Sequence, residues 1–172
     1  LQGTAHMTKT LIKGGTIISM DRKTGDFAKG DVLVNGTTIE KIGKSLRSPG
    51  AKVIDATGMI VMPGFVNAHL HTWQTGIRGV AGNWSIPEYL HQMHATMAPR
   101  YTAKDTYLGN LVGALNQINL GATTIFDWCH NNSTSAHSDA GVQGLQEAGI
   151  RALFGHGSPK PDAAKGAKHF SE

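Results

Sequence analysis

Two histidines stand at alternate positions, His69 and His71, at the end of an apolar run with strand character. Side chains alternate between the two faces of a β-strand, so both imidazoles share one face while Ala68 and Leu70 take the other. Neutral imidazole binds borderline cations such as Zn²⁺, and it is available near neutral pH. The pair therefore predicts two ligands of one metal ion. Ordinary core or surface histidines are the alternative, because an isolated His-X-His pattern is short.

Two more histidines follow strand-like segments further along the chain. His130 comes after residues 123–128, and His156 comes after residues 150–155. The carboxyl ends of neighbouring parallel strands lie at one edge of a sheet, so both histidines are predicted to line a pocket beside the first pair. A purely structural role is the alternative for each of them.

Several other polar and aromatic residues are given structural interpretations. His91 and His94 have i, i+3 spacing on a predicted external helix, so we expect them at the surface. Trp73 and Trp84 are expected to cover helix–sheet packing. Asp127, at the end of a predicted strand, receives no role.

The elements that position these residues fall into two regimes. Residues 10–61 read as short strands broken by Gly and Asp turns, with a hairpin at Asn35-Gly36 and a second strand pair around Thr57-Gly58. This pattern predicts a small antiparallel sheet.

From residue 62 onward, strands alternate with helices. A strand over 61–69 precedes a helix that starts at a Ser85 capping box and ends before Pro99. Thr102 caps a second helix, which Gly121 ends, and residues 123–128 form the next strand. A helix over 135–148 and a strand over 150–155 complete the series. The order β-α-β-α-β predicts a parallel sheet with helical crossovers, an α/β fold.

Composition excludes several classes of protein. The 172 residues carry a net charge of +4 without a basic cluster, so no nucleic-acid partner is expected. Only one cysteine, Cys129, is present, which excludes an internal disulfide and suits the cytoplasm. No apolar stretch approaches the ~20 residues that span a bilayer, so no membrane partner is expected. Residues 1–6 lack signal-peptide features and are interpreted as a cloning remnant.

The turn-rich segment ending in residues 55–58, followed by the motif over residues 61–71, resembles the amidohydrolase superfamily. The most similar branch is that of cytosine, guanine and 8-oxoguanine deaminases and atrazine-type chlorohydrolases, and the resemblance extends from Leu11 to about Pro159. It implies a composite β-sandwich beside a (β/α)8 TIM barrel, with one divalent metal ion, Zn or Fe, at the barrel mouth. The implied division is 1–6 remnant, 7–61 sandwich strands, and 62–172 the first three βα units.

The resemblance also implies a reaction. A metal-activated water would attack a cyclic C–N bond, most simply deaminating a small heterocyclic amine. Gln74 lies where some of these deaminases carry a substrate-binding glutamine, and a turn residue bonded to its own backbone is the alternative. The predicted substrate-binding residues are Gln74, His130 and His156. Chlorohydrolase or ring-opening amidase chemistry is an alternative. A further alternative is that this chain is a non-catalytic fragment that completes an assembly with a second chain. A metal-free binding module is disfavoured by the strand-end histidines.

Three βα units are fewer than the eight of a barrel. The remaining metal ligands and the acid/base carboxylates are expected on later strands, beyond Glu172, so no catalytic residue is assigned. The tail over residues 160–172 has no natural terminus, and the chain is expected to be an inactive fragment on its own. Either the remainder of the same polypeptide or another chain would complete the barrel. Phe65 and Phe154 are expected to face the barrel interior, and a homo-oligomer is expected.

Overall fold

The structure is a computed structural model that describes residues 9–157. The chain divides after Pro63 into two compact units, which we call the N-terminal unit and the C-terminal unit. No helix within residues 9–157 has the length and apolar character needed to cross a bilayer. The interpretations given to residues 1–6 and to the tail that ends at Glu172 concern sequence outside the described residues.

The N-terminal unit is a mixed β-sheet with its own small core. Leu11, Leu33 and Leu46 pack together there, with Ala51 against them. The strand order is β3-β2-β1-β4, and β5 also pairs with β1. The strands are β1 (Lys9–Ile17), β2 (Phe27–Asn35), β3 (Thr38–Gly43), β4 (Lys52–Asp55) and β5 (Ile60–Val61).

The Asn35-Gly36 hairpin prediction is confirmed, because β2 and β3 pair antiparallel and Gly36 has a φ of +57°. The prediction of a second strand pair around Thr57-Gly58 is wrong. Both β4 and β5 run parallel to β1 along the same edge, and they do not pair with each other. A turn does form at Thr57-Gly58, where the Met59 N–H donates to the Ala56 carbonyl. It does not reverse the chain, because β5 runs in the same direction as β4.

The C-terminal unit alternates strands and helices as the sequence predicts. Its three strands are parallel, in the order β6-β7-β8. The strands are β6 (Phe65–Leu70), β7 (Ala122–Cys129) and β8 (Arg151–His156). The main helices are α1 (Ile86–Tyr89), α2 (Ala103–Asn119) and α3 (Ser135–Ala148), with a 3-10 segment over Thr72–Ile77 after β6.

Helix starts were predicted more accurately than helix types. Ser85 and Thr102 both form capping boxes, each with an acidic residue three positions on. After α1, however, the chain continues as a π-helix over Leu90–Met97, where an ordinary helix was expected. The strand predicted over 61–69 is also interrupted, and β6 begins only at Phe65, because Pro63 has no amide hydrogen to donate.

Helix α2 packs through its small and polar residues. A Cβ on Gly109 or Gly113 would lie within 2.6 Å of the segment that follows β6. Leu108 and Val112 of the same helix are exposed by 43% and 52%. The close backbone approach that glycine permits therefore places α2 directly against the residues after His71.

Phe154 corrects another expectation. Its ring packs with Ile125 and Leu145 and lies 3.3 Å from where a Cβ on Gly141 of α3 would be. This is the helix-facing side of β8, so the prediction of a barrel-interior position for Phe154 is wrong. Phe65 is 58% exposed.

Candidate metal and substrate site

His69 and His71 converge at the end of β6. Their Nε2 atoms lie 3.3 Å apart, with the ring centroids 4.8 Å apart. Two nitrogen ligands about 2.0–2.1 Å from one tetrahedral ion are about 3.3–3.4 Å from each other. The observed separation therefore fits two ligands of a single ion, which is the arrangement predicted for this pair.

The neighbouring strand holds the His71 ring. Its Nδ1 lies 2.8 Å from the Trp128 carbonyl oxygen, which can only accept a hydrogen bond. Nδ1 must therefore carry the proton, and the lone pair is left on Nε2, the atom that faces His69. Metal-binding histidines are oriented by this kind of bond from the second ring nitrogen.

His130 lies against this pair. Its ring stacks on His71 with centroids 4.2 Å apart, and its Nδ1 accepts a hydrogen bond of 3.0 Å from the Trp73 indole. Because an indole N–H only donates, neutral His130 carries its proton on Nε2. Burial, and secondarily the neighbouring histidines, lower the pKa of His130 to about 3. His130 is thus a neutral ring that presents an Nε2–H donor.

Gln74 belongs to a short hydrogen-bonded chain. It donates from Nε2 to the Tyr89 hydroxyl at 2.7 Å, and His94 Nε2 lies 3.1 Å from the same oxygen. Gln74 and Tyr89 also line a cavity of about 260 Å³, together with His71. The alternative for Gln74, a bond to its own backbone, is not what the structure shows.

His94 corrects the sequence interpretation. It is half-buried rather than at the surface, and its ring meets His130 edge-on with centroids 4.2 Å apart. Burial lowers the pKa of His94, with a smaller contribution from His71. The π-helix presents this side chain to the site, whereas His91 on the same segment is exposed as expected.

His156 is the last residue of β8, so it shares the carboxyl ends of the strands with the other site histidines. Its Nε2 lies 2.9 Å from the Ser138 hydroxyl on α3. Strand alternation gives it the same helix-facing side as Phe154. Contact of His156 with a ligand stays a prediction, as it does for His130 and Gln74.

Trp73 is fully buried beside Met93 and Cys129, which agrees with the packing role expected of it, and Trp84 packs on the same cluster. Nothing in the sequence indicated that the Trp73 indole would also set the proton position on His130. Tyr89 was likewise missed as a site residue. Its contact with Gln74, fifteen residues earlier, is a consequence of tertiary packing rather than of any local spacing.

Within residues 9–157, no group of three or more His, Cys, Asp and Glu side chains could hold a metal ion together. The described part of the chain therefore offers His69 and His71 as a pair of ligands. Three or four protein ligands are usual for a zinc site. Further ligands and the acid/base carboxylates were expected beyond Glu172, which itself lies outside the described residues, so their position stays a prediction.

The sequence matches the model of the amidohydrolase family over residues 52–140, just over half of the chain. The chain belongs to this family. The match includes the end of the N-terminal unit, β6, His69 and the following His71, α2, β7 and the start of α3.

Curated relatives include two deaminases. A 5'-deoxyadenosine deaminase of Methanosarcina mazei is 32% identical over 151 residues, 88% of this chain and 34% of that protein. A 5-methylthioadenosine/S-adenosylhomocysteine deaminase of Symbiobacterium thermophilum is 34% identical over 154 residues, again 88% and 34%. The chain spans about a third of the length of these relatives.

Solved structures share the fold of this stretch. A triazine hydrolase from Arthrobacter aurescens has a TM-score of 0.76 at 23% identity, over 86% of this chain and 35% of that one. An adenosine deaminase from Xanthomonas campestris, solved with bound zinc, has a TM-score of 0.74 at 21% identity, over 85% and 33%.

Proposed function

We propose that this chain forms the start of a metal-dependent deaminase, in which His69 and His71 are two ligands of one divalent ion, Zn or Fe. The observation that carries the proposal is the 3.3 Å separation of their Nε2 atoms, with the His71 tautomer set by the Trp128 carbonyl. An ion held there would supply an activated water for attack on an electrophilic ring carbon.

The residues around the pair have roles that follow from their hydrogen bonds. The Gln74 amide, held by Tyr89 at the edge of the cavity, offers donor and acceptor groups to a heterocycle. His130 contributes an N–H donor beside His71 and, as a ring that stays neutral, adds no charge repulsion to a cation. His156 is proposed to lie further along the same edge.

The substrate we propose is a small heterocyclic amine, and specifically a 6-aminopurine nucleoside. The support is that both curated relatives described above are deaminases with adenosine-type names. Ammonia release from adenosine-type nucleosides, measured against halide release from chlorotriazines, separates deaminase from chlorohydrolase chemistry.

For the architecture we propose that residues 62–172 are the first three βα units of a (β/α)8 barrel, with β6, β7 and β8 as its first strands, and that residues 7–61 are strands of a β-sandwich. Three parallel strands cannot close, and within residues 9–157 β6 and β8 each pair on one side only. In the N-terminal unit, Val53 and Ile60 are 59% and 64% exposed on the edge strands. Further polypeptide, from the same or another chain, would cover these surfaces and supply the remaining ligands and the acid/base carboxylates.

The test is metal content in the complete enzyme, meaning this sequence together with the polypeptide that closes the barrel. His69→Ala combined with His71→Ala should abolish bound metal and activity. His91→Ala, which removes an exposed histidine, is the matched control and should leave both unchanged. A double variant that keeps its metal stoichiometry would show that the ion is bound elsewhere.

A further inference from the structure

Asp127 is a fully buried carboxylate that no step of the proposed reaction uses. One of its oxygens accepts the backbone N–H of Thr72 at 3.0 Å, and the other accepts the Asn110 side-chain amide at 2.9 Å. The same Asn110 amide nitrogen also donates to the Gly141 carbonyl at 3.1 Å. A single side chain at the end of β7 therefore connects to the segment after β6, to α2 and, through Asn110, to α3.

The bond to Thr72 is the informative one, because Thr72 follows His71 directly. Residues 127 and 128 of β7 hold His71 from two directions. The Trp128 carbonyl accepts a hydrogen bond from His71 Nδ1 and so orients the ring. The Asp127 carboxylate accepts the N–H of the peptide bond between His71 and Thr72 and so holds the backbone there. Neither contact is made by a neighbour in sequence, since both span more than fifty residues.

A buried carboxylate has a desolvation cost that its hydrogen bonds must offset. Desolvation disfavours its charged form, and well-packed apolar residues often stabilise a core as well or better. A charged acceptor does provide a strong, directional bond to a backbone N–H. That property matters where a backbone segment must be held within a fraction of an ångström, as a pair of metal ligands requires.

We propose that Asp127 is a positioning residue for His71, acting through the Thr72 amide, with Asn110 orienting the carboxylate. The proposal rests on the metal site proposed above. Without Asp127, the backbone after β6 becomes more mobile. His71 Nε2 then no longer stays at the 3.3 Å separation from His69 Nε2 that lets both atoms bind one ion.

The N-terminal unit offers a matched control in Asp31. This aspartate is also buried, at 2% exposure, and accepts the backbone N–H groups of Gly14 and Leu46 at 2.9 and 2.8 Å. It has the same chemistry and comparable hydrogen bonds. It belongs to the other unit, which holds none of the proposed site residues.

The experiment compares Asp127→Ala, Asp127→Asn, Asp31→Ala and Asp31→Asn in the complete enzyme. Zinc affinity is measured by competition with a chelator, the Co²⁺-substituted protein gives an absorption spectrum of the site, and thermal melting reports stability. Asp127→Asn keeps one acceptor oxygen for Thr72 but turns an amide donor toward Asn110, so it tests the interaction even where alanine prevents folding.

We expect both Asp127 variants to weaken zinc binding, by roughly tenfold to hundredfold for alanine and less for asparagine, and to alter the Co²⁺ spectrum. Asp31 variants should lower the melting temperature while leaving zinc affinity and the spectrum unchanged. Asp127 variants that melt lower but bind zinc like the wild type would overturn the proposal. Failure of the metal site itself would look different, because the wild-type protein would then bind no zinc or the His69/His71 double variant would still bind it.

Discussion

The two units differ in where they bury polar side chains. In the described part of the N-terminal unit, Asp31 is the buried polar residue. The described part of the C-terminal unit buries six, which gather in α2 and at the strand ends: Thr72, Thr106, Asn110, Asp127, Asn131 and Asn132. Buried polar groups are destabilising unless they are hydrogen-bonded. Their concentration beside His71 and His130 therefore indicates a functional region.

Asp31 and Asp127 make the comparison specific. Asp31 fixes Gly14, which has a φ of +79° at an irregularity of β1, and the Leu46 amide beside the leucine core. Both of its contacts lie within the N-terminal unit. Asp127 fixes the residue after a proposed metal ligand. The same kind of interaction thus maintains a fold in one unit and a proposed site in the other.

The largest effect is expected for the 172-residue chain on its own. Its parallel sheet exposes Val66 and Leu153 by 68% and 66%, and within the described residues its outer strands lack a second neighbour. We expect no cooperative melt of a monodisperse monomer and no catalysis. Hydrogen exchange should be faster in β6 and β8 than in β1 and β2. A cooperative monomer with a protected parallel sheet would contradict this expectation.

Glycine-to-alanine changes test how tightly each unit packs around a glycine. A Cβ on Gly109 would lie 2.6 Å from the Trp73 carbonyl oxygen, a backbone atom, whereas one on Gly15 would meet the Val61 side chain at 2.8 Å. Gly109→Ala should destabilise the complete enzyme by about 1–3 kcal/mol and reduce its metal content, because the segment after His71 must move. Gly15→Ala should destabilise it less and spare the metal. Denaturant unfolding measures the stability of each variant, and metal analysis measures its metal content. Equal losses in the two variants would show that the contact of Gly109 with Trp73 has no special role at the site.

A smaller change is expected at the cavity. Gln74→Ala should lower kcat/KM about tenfold while metal content stays the same, because an amide is a poor ligand beside imidazoles but suits a heterocycle's edge. Tyr89→Phe removes only the hydroxyl that holds Gln74 and should have a weaker effect. Gln146→Ala, at an exposed position of α3, serves as the control. Unchanged kinetics for Gln74→Ala would exclude a substrate contact.

The smallest effect concerns Cys129, which is fully buried at the end of β7. Burial raises the pKa of its thiol to about 12, so the reactive thiolate is scarce between pH 7 and 9. A thiol reagent should label the native enzyme very slowly, and quickly once denaturant is added. Rapid labelling of the native protein would mean that this strand end is open to solvent.

Local signals predicted much of the fold. The Asn35-Gly36 hairpin and the Ser85 and Thr102 caps each depend on a few consecutive residues, and all three are present. The parallel pairing of β4 and β5 with β1 was not predictable in this way. A turn such as Thr57-Gly58 reverses or merely offsets the chain depending on which strand offers hydrogen bonds.

The site shows the same limit. The convergence of His69 and His71 at the end of β6 could be predicted from strand alternation, and their role as metal ligands stays a prediction. His94 was expected at the surface because its helix was predicted to be external, whereas the π-helix packs its Met93 and His94 side against the site. The Trp128 carbonyl and the Asp127 carboxylate act on residues more than fifty positions away, and only the register of β6 on β7 brings them there.

The most direct measurement is anomalous diffraction from crystals of the complete enzyme, recorded at the absorption edge of the metal it binds. We expect one strong peak about 2.0–2.3 Å from both His69 Nε2 and His71 Nε2, with His71 Nδ1 still bonded to the Trp128 carbonyl. A metal-loaded enzyme whose peak lies away from these two nitrogens would contradict it.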